Sequence, residues 1–335
     1  MKWQLAFGIT LLFFPLQALP QDQGSKLPLI QSIFIEPGYR FAGGNGTLSD
    51  YRPDAEMSHQ YRITDYSFLS VGMILNPVKR LAITLAGDLS GFKATDQYLF
   101  SYIAPLNYDV PFDQLAFYVS AAYQFNPGWK LSLAGHVLSG VQPLMVWQEQ
   151  ALGGEYVAAP NPYRDWLIHG AVLKQAGRLE AELSGGFAQF RSKPAGQAGL
   201  RLRADLSGNQ TTLIEGSVIW VADTLNPKGR FVFTAGAEQR VIGKMWVRAG
   251  YSAGVMQNMT ENSGRTVYNL FDPVKQKGDL TLTVKDLTKN LDLSLTYEWS
   301  QRTASWYLYQ YGEFTGTENK NYSFHSLTGG ITWRF

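Results

Sequence analysis

The sequence predicts an all-β fold: a transmembrane, antiparallel, up-and-down β-barrel of about 14 strands, with short periplasmic turns and longer extracellular loops. Three observations predict it. Apolar residues recur at every second position, the connections alternate between short and long, and the chain ends on an amphipathic strand.

The alternation of apolar and polar residues recurs almost to the last residue. In "RLAITLAGDLSG" the apolar face carries Leu81, Ile83 and Leu85. The segments "QLAFYVSAAYQF" from 114 and "NLDLSLTYEW" from 290 show the same separation into an apolar face and a face of small or polar residues. A period of two indicates strands with one apolar face, and helical spacing is almost absent.

The connections between strands fall into two classes. Short ones carry turn-forming residues and occur as "NPVK" at 76, "NPG" at 126, "QAG" at 175, "SGNQ" at 207, "IGK" at 242 and "TKN" at 288. Longer ones lie near 45–60, 93–112, 140–163, 192–196, 223–229, 257–276 and 304–321. Counted this way, the strands begin near Ile30 and end at Phe335, with both termini on the short-turn side. The Tyr-rich loops at 96–112 and 304–314 could fold inward or contact a sugar or partner, but extension of the barrel is favoured.

The first residues resemble a secretory leader. One Lys precedes an apolar stretch from Leu5 to Leu16, which Pro15 interrupts and which is shorter than the ~20 residues of a spanning helix. We therefore predict a signal peptide at 1–20 and a single barrel domain at 21–335.

Charge and cysteine content argue against several classes of partner and site. The net charge of +2 gives no indication of a nucleic-acid partner, and the absence of cysteine excludes disulfides, thiolate zinc sites and a cysteine nucleophile. We predict no cofactor.

A membrane explains the one-sided apolar pattern. Hydrocarbon offers backbone N–H and C=O groups no partner, so a spanning sheet must close on itself and present its apolar face to lipid. Aromatic residues near strand ends suit the interfacial girdles, namely Trp129, Trp166, Trp299 and Trp333. A soluble β-sandwich or propeller would also alternate, but would not require a leader or a terminal aromatic residue.

The last strand, "LTGGITWRF", resembles the C-terminal strand of bacterial outer-membrane barrels, with Leu327, Ile331, Trp333 and Phe335 as the matching positions. The resemblance implies an integral protein of the Gram-negative outer membrane, in contact with its lipid. It also implies that the barrel-assembly machinery reads this strand, which then closes on the first strand.

Charged residues collect on the inward positions of the middle strands. They are Glu180, Glu182, Arg201, Arg203, Asp205, Glu215, Arg230, Glu238, Arg240 and Arg248. One interpretation is a pore constriction whose transverse field selects polar solutes. The other is that these residues form salt bridges that fill and stiffen the lumen.

Two of the four histidines lie on neighbouring predicted strands, where they could serve as catalytic or metal-binding groups. Alternation points His136 inward, and the register of His169 is uncertain. The stretch "HVLS" from His136 to Ser139 lacks a visible Asn or Asp to complete a triad. We predict no metal site, no catalytic residue and no enzyme.

Three functions remain open. The main prediction is a passive, porin-like channel for small solutes with a charged lumen. A transporter of hydrophobic ligands, similar to the long-chain fatty-acid transporter family, is an alternative, although the N-terminal plug of that family has no counterpart here. The third is an accessory or structural barrel in an envelope or secretion complex. Pro37, Tyr39, Ala42 and Gly43 faintly resemble the N-terminal segment of barrel components of the type IX secretion and gliding machinery.

Overall fold

The computed structural model describes residues 29–43, 57–100, 106–150, 153–224, 226–262, 264–269, 272–311 and 313–335, so the predicted leader lies outside the described residues. These ranges contain sixteen strands, which are β1 (Ile30–Gly43), β2 (Met57–Val78), β3 (Leu81–Phe100), β4 (Leu106–Asn126), β5 (Trp129–Gln150), β6 (Gly153–Ala176), β7 (Leu179–Phe190), β8 (Lys193–Asp205), β9 (Thr212–Asp223), β10 (Arg230–Ile242), β11 (Met245–Met256), β12 (Met259–Glu261), β13 (Thr266–Tyr268), β14 (Val274–Thr288), β15 (Leu291–Gln310) and β16 (Glu313–Arg334). Nowhere in these ranges does a helix have the length and hydropathy needed to span a membrane.

Fourteen of the described strands form one closed antiparallel sheet. Each pairs with its neighbour in the chain, and β11 pairs with β14. The last strand closes on the first, with Trp333 opposite Ile33 and Ile331 opposite Ile35. The predicted 14-stranded barrel is therefore confirmed, and a soluble sandwich is excluded because the sheet has no free edge.

Strand β4 shows how side chains divide between the two faces of the wall. Leu115, Phe117 and Val119 point outward with exposed fractions of 53%, 55% and 39%, whereas the intervening Ala116 and Tyr118 point inward and are each 3% exposed. Since large apolar side chains cover the outer face, that face is suited to hydrocarbon.

The barrel has two walls of unequal height. Strands β2–β6 contain 20 to 24 residues, and β15 and β16 contain 20 and 22; we call these the tall wall. Strands β7–β11 contain 12 or 13 residues and form the short wall. A tilted strand needs about 9–11 residues to cross the hydrocarbon. The short wall therefore just spans the membrane, and the tall wall extends beyond it on the side opposite the short turns.

Apolar side chains fill the protruding part of the tall wall. Phe92 stacks between Tyr66 and Phe112, with ring centroids 4.9 and 4.6 Å apart. The same cluster includes Phe324 of β16, so side chains from β2, β3, β4 and β16 pack together inside the wall. Strand β15 also pairs with the start of β2, and Trp306 is buried there opposite Gln60. We call this cluster the upper core.

The Tyr-rich loops extend the strands, as favoured from the sequence: β3 continues to Phe100, and β15 and β16 continue to Gln310 and from Glu313. The expectation of a longer connection at 192–196 was wrong. A tight turn through Arg191 and Ser192 joins β7 to β8, and both residues have positive φ, at 48° and 65°. That backbone twist matches the twist of a hairpin, so no longer loop is required.

Candidate functional site

The segment between β11 and β14 folds into the barrel lumen. Strands β12 and β13 pair antiparallel, with Met259 opposite Tyr268 and Glu261 opposite Thr266. At the tip of this hairpin, Arg265 reaches the inner face of the barrel wall. It donates to Glu36 of β1 at 2.8 Å and to Ser70 of β2 at 3.2 Å. We call residues 259–268 the lumen hairpin, and of these the structure describes all but position 263.

Gly264 fits the tip of the lumen hairpin against β5 and β6. Its φ is +85°, and a Cβ at this position would lie 3.2 Å from atoms of both Leu167 and His169. Its carbonyl accepts a hydrogen bond from His136 Nδ1 at 3.1 Å. The positive φ favours glycine, and the close approach leaves little room for a Cβ.

A side-chain amide attaches the hairpin to the short wall. Gln197 of β8 accepts the Thr260 N–H at 2.8 Å and donates to the Thr260 carbonyl at 3.1 Å. Because both backbone groups of Thr260 are satisfied, this edge of the hairpin can lie inside the barrel without the cost of unpaired polar groups.

A buried ion pair attaches the hairpin to β14. Lys277 Nζ lies 2.7 Å from Glu261 Oε2 and 2.5 Å from the Tyr268 hydroxyl, which itself donates to Glu261 at 2.8 Å. Burial, together with the Glu261 carboxylate, raises the pKa of Tyr268, so the hydroxyl keeps its proton and remains a donor. We call these three residues the Lys277 cluster.

The two ends of the inward segment are also fixed. At its start Arg230 donates to the carbonyls of Val255, at 2.8 Å, and Gln257. At its end Asn269 donates to Asp165 at 3.0 Å, and Asp272 accepts from the Tyr322 hydroxyl at 2.6 Å. The hairpin is thus held at its tip, its edges and both ends.

Most of the charged residues predicted for a constriction form a connected ladder on the inner face of the short wall. Arg201 lies 2.8 Å from Glu182, 3.3 Å from Glu180 and 4.0 Å from Glu215. Glu215 also pairs with Arg248 at 2.8 Å. A second row, closer to the short turns, joins Arg203 to Glu238 at 3.7 Å. We call these residues the charge ladder.

The other three predicted residues lie elsewhere. Asp205 caps the turn after β8 by accepting the N–H groups of Ser207, Gly208 and Gln210. Arg240 donates to the Gly243 carbonyl in the turn after β10. Arg230 lies at the opposite end of the barrel, where it pairs with Asp223 at 3.0 Å and supports the lumen hairpin.

The two strand histidines lie behind the hairpin. His136 points inward, as predicted, and is buried with its Nε2 4.0 Å from Asp88. His169, whose register the sequence left uncertain, is also inward and buried against Gly264. Within the described residues, no three His, Cys, Asp or Glu side chains group as metal ligands would.

Three cavities surround the lumen hairpin. The upper cavity, of about 240 Å³, lies between the hairpin and the tall wall. The middle cavity, of about 550 Å³, faces the charge ladder, and the lower cavity, of about 570 Å³, lies towards the short turns. Arg265 and Glu36 line all three, so their ion pair lies where the cavities meet.

The sequence pattern predicts only a longer connection at 257–276 and does not distinguish the lumen hairpin within it. A short signal was available: "MTENSGRTVY" places two short β-like stretches on either side of an Asn-Ser-Gly turn. Nothing in that stretch specifies whether such a hairpin lies inside or above the barrel.

Comparison with known proteins supports the fold. No family model matches the sequence, and no curated protein matches it. Among solved structures, the chain is similar to the Pseudomonas putida toluene transporter TodX, with a TM-score of 0.59 and 8% identity over 92% of this chain and 91% of that one. A FadL homologue of Pseudomonas aeruginosa (0.56, 9%, 91% and 90%) and the Ralstonia pickettii toluene transporter TbuX (0.56, 10%, 92% and 90%) are also similar.

The closed 14-stranded sheet, its apolar outer face and these likenesses define the class: this chain is an integral β-barrel protein of the bacterial outer membrane. The faint similarity to type IX components and the role of the barrel-assembly machinery remain predictions.

Proposed function

We propose that this protein is a gated outer-membrane transporter of small molecules, and that the lumen hairpin is its gate. The observation that carries the proposal is the attachment of the hairpin to β1, β8 and β14 by Arg265, Thr260 and Glu261, respectively. A segment held across the lumen in this way obstructs free diffusion, which argues against the permanently open porin that the sequence first suggested.

The likeness to toluene transporters and a FadL homologue favours the hydrophobic-ligand alternative over the porin. Those matches concern the fold. The residues that line the lumen indicate the class of transported molecule. The prediction that the N-terminal plug of that family has no counterpart concerns residues 1–28, which lie outside the described residues. In this chain the lumen hairpin occupies the interior.

The lumen below the hairpin supports a substrate that tolerates water. The charge ladder lines the middle cavity, and Lys130, Ser32 and Thr84 line the lower one. A pure hydrocarbon would gain little from these surfaces, whereas a small molecule with one polar end could cross them.

The test is conductance of the purified protein in planar bilayers, with the hairpin released or locked. We expect low conductance from the wild type. We expect stepwise openings from the double variant Arg265→Ala/Lys277→Met, which removes two attachments. Because the chain contains no cysteine, Gln197→Cys/Thr260→Cys introduces a single disulfide between gate and wall. Added to the release variant, it should silence conductance until a reductant is added.

Two outcomes would contradict the proposal. One is a large, steady conductance from the wild type that the disulfide leaves unchanged. The other is a folded release variant that stays silent while the wild type co-purifies with a stoichiometric partner, a result that would favour the accessory role.

A further inference from the structure

Arg302 of β15 is buried in the upper cavity without a fixed partner. It is 3% exposed, and its guanidinium lies 4.3 Å from the ring centroid of Phe324. Among the described residues, its Nε and Nη1 atoms have no hydrogen-bond partner. A buried cation is costly unless it is paired. Arg302 therefore has the capacity to bind an anion that enters the cavity.

The other cations around the upper cavity already have acidic partners. Arg40 lies 3.7 Å from Glu298, Arg265 lies 2.8 Å from Glu36, and Lys277 lies 2.7 Å from Glu261. No ion pair among the described residues includes Arg302. Among the described residues, Arg302 is thus the cation of this cavity that has no carboxylate within 4 Å.

A second guanidinium group, that of Arg40, lines the same cavity. Arg40 stacks 4.9 Å from the Tyr66 ring and 5.7 Å from the Phe68 ring, and its buried Nε has no hydrogen-bond partner within the described residues. Stacking holds the Arg40 guanidinium in place. Because its Nη1 faces Glu298, Arg40 would add one N–H contact to a carboxylate that the Nε and Nη1 edge of Arg302 can bind in a bidentate way.

One part of the cavity wall is apolar, whereas the rest is polar or charged. Phe68, Leu138, Met256 and Val267 line it together with the Tyr66 ring. Glu36, Asp88, Asp272 and Glu298 also line it, and these carboxylates would repel a doubly charged phosphate more than a singly charged group. The site therefore favours a monoanion with an apolar body.

We propose that the upper cavity binds a small organic acid, with its carboxylate on Arg302 and Arg40 and its apolar body against Phe68, Leu138, Met256 and Val267. The proposal deepens the proposed function and rests on it only in placing this site on the transport route. An amphiphilic acid of this kind also suits both the mixed polar and apolar wall of the upper cavity and the charged lumen below.

The test is calorimetric binding to the purified, folded wild-type protein in detergent, with benzoate as the probe. Benzyl alcohol, of similar size and uncharged, should bind at least about 10-fold more weakly, because it cannot use the charge-assisted bonds. Inorganic phosphate should neither bind tightly nor displace benzoate.

Variants locate the site. Arg302→Met should weaken benzoate binding about 10- to 100-fold while filling the same volume, and Arg302→Lys should retain part of the affinity. The matched control is Arg164→Met, since Arg164 is an exposed arginine on β6. Equal binding of benzoate and benzyl alcohol, or unchanged binding in a folded Arg302→Met variant, would overturn the proposal. Tight phosphate binding that competes with benzoate would also overturn it, in favour of a general anion site.

Because this assay needs no transport, its outcome is separable from that of the gate. If benzoate binds but the release variant does not conduct, the organic-acid site is supported and the gate is contradicted. If the release variant conducts but benzoate does not bind, the gate is supported and the organic-acid site is contradicted.

Discussion

The strands of the tall and short walls both alternate in polarity, but the two walls differ in which face carries the apolar side chains. Inside the short wall the inward residues form the charge ladder, and the outward ones, such as Leu183 and Phe187, are apolar. In the upper part of β4 the polarity is reversed: Tyr108, Val110 and Phe112 point inward, and Asp109 and Asp113 outward.

The reversal follows from the medium outside each part. Beside hydrocarbon, the outer face must be apolar and the inner face can be hydrated. Above the membrane, water lies outside, so the protruding wall buries its apolar residues inside, as an ordinary soluble domain does. In β4, apolar residues therefore move from the inward to the outward positions where the strand enters the membrane, between Phe112 and Leu115.

The largest expected effect comes from breaking the upper core. Phe92→Ala removes the central ring of the Tyr66–Phe92–Phe112 stack and should lower the free energy of unfolding by about 3–5 kcal/mol. Urea unfolding of the protein in lipid vesicles measures the change. Phe125→Ala, at an exposed outward position near the turn edge of β4, is the control and should cost less. Equal losses at the two positions would show that the protruding wall has no packed core.

A smaller effect should come from charges on the outer face, and it should depend on height. Phe117→Arg places a cation against hydrocarbon and should cost about 2–4 kcal/mol. Asp109→Arg lies on the same face of the same strand but above the membrane, so its effect should be within about 0.5 kcal/mol. The same vesicle assay measures both. Similar costs at the two heights would mean that the membrane boundary does not lie between these residues.

Much of this fold could be predicted from the sequence because the alternation of neighbouring side chains determines it. A period of two requires only that neighbouring side chains face different media, so "QLAFYVSAAYQF" indicated a spanning strand and the correct outward face. The phase change in "LNYDVPFDQL" carried equally local information about the protruding wall, since Tyr108, Val110 and Phe112 precede a shift to Leu115.

The candidate site was less predictable because tertiary contacts determine which of its charged side chains are paired. Alternation indicates that Arg302 and Arg40 point inward, but whether they are paired depends on contacts between segments far apart in the chain. Glu36 pairs with Arg265, which lies 229 positions away. The same reasoning explains why the sequence identified the residues of the charge ladder but could not choose between a selective constriction and a stiffening network.

The smallest expected effect tests that choice. Glu215 links Arg201 to Arg248, yet the two arginine side chains are 36% and 41% exposed, so water screens the pairs. Glu215→Gln should therefore lower the free energy of unfolding by only about 0.5–1 kcal/mol. Glu318→Gln, at an exposed pair in β16, is the control for loss of one acidic group.

In the release variant, the same Glu215→Gln change should shift the reversal potential towards anions, because it removes one negative charge from the lumen wall. A selectivity shift with little loss of stability would identify the ladder as a field that acts on solutes. A loss of several kcal/mol with unchanged selectivity would instead identify it as a network that stiffens the short wall, which has no upper core to support it.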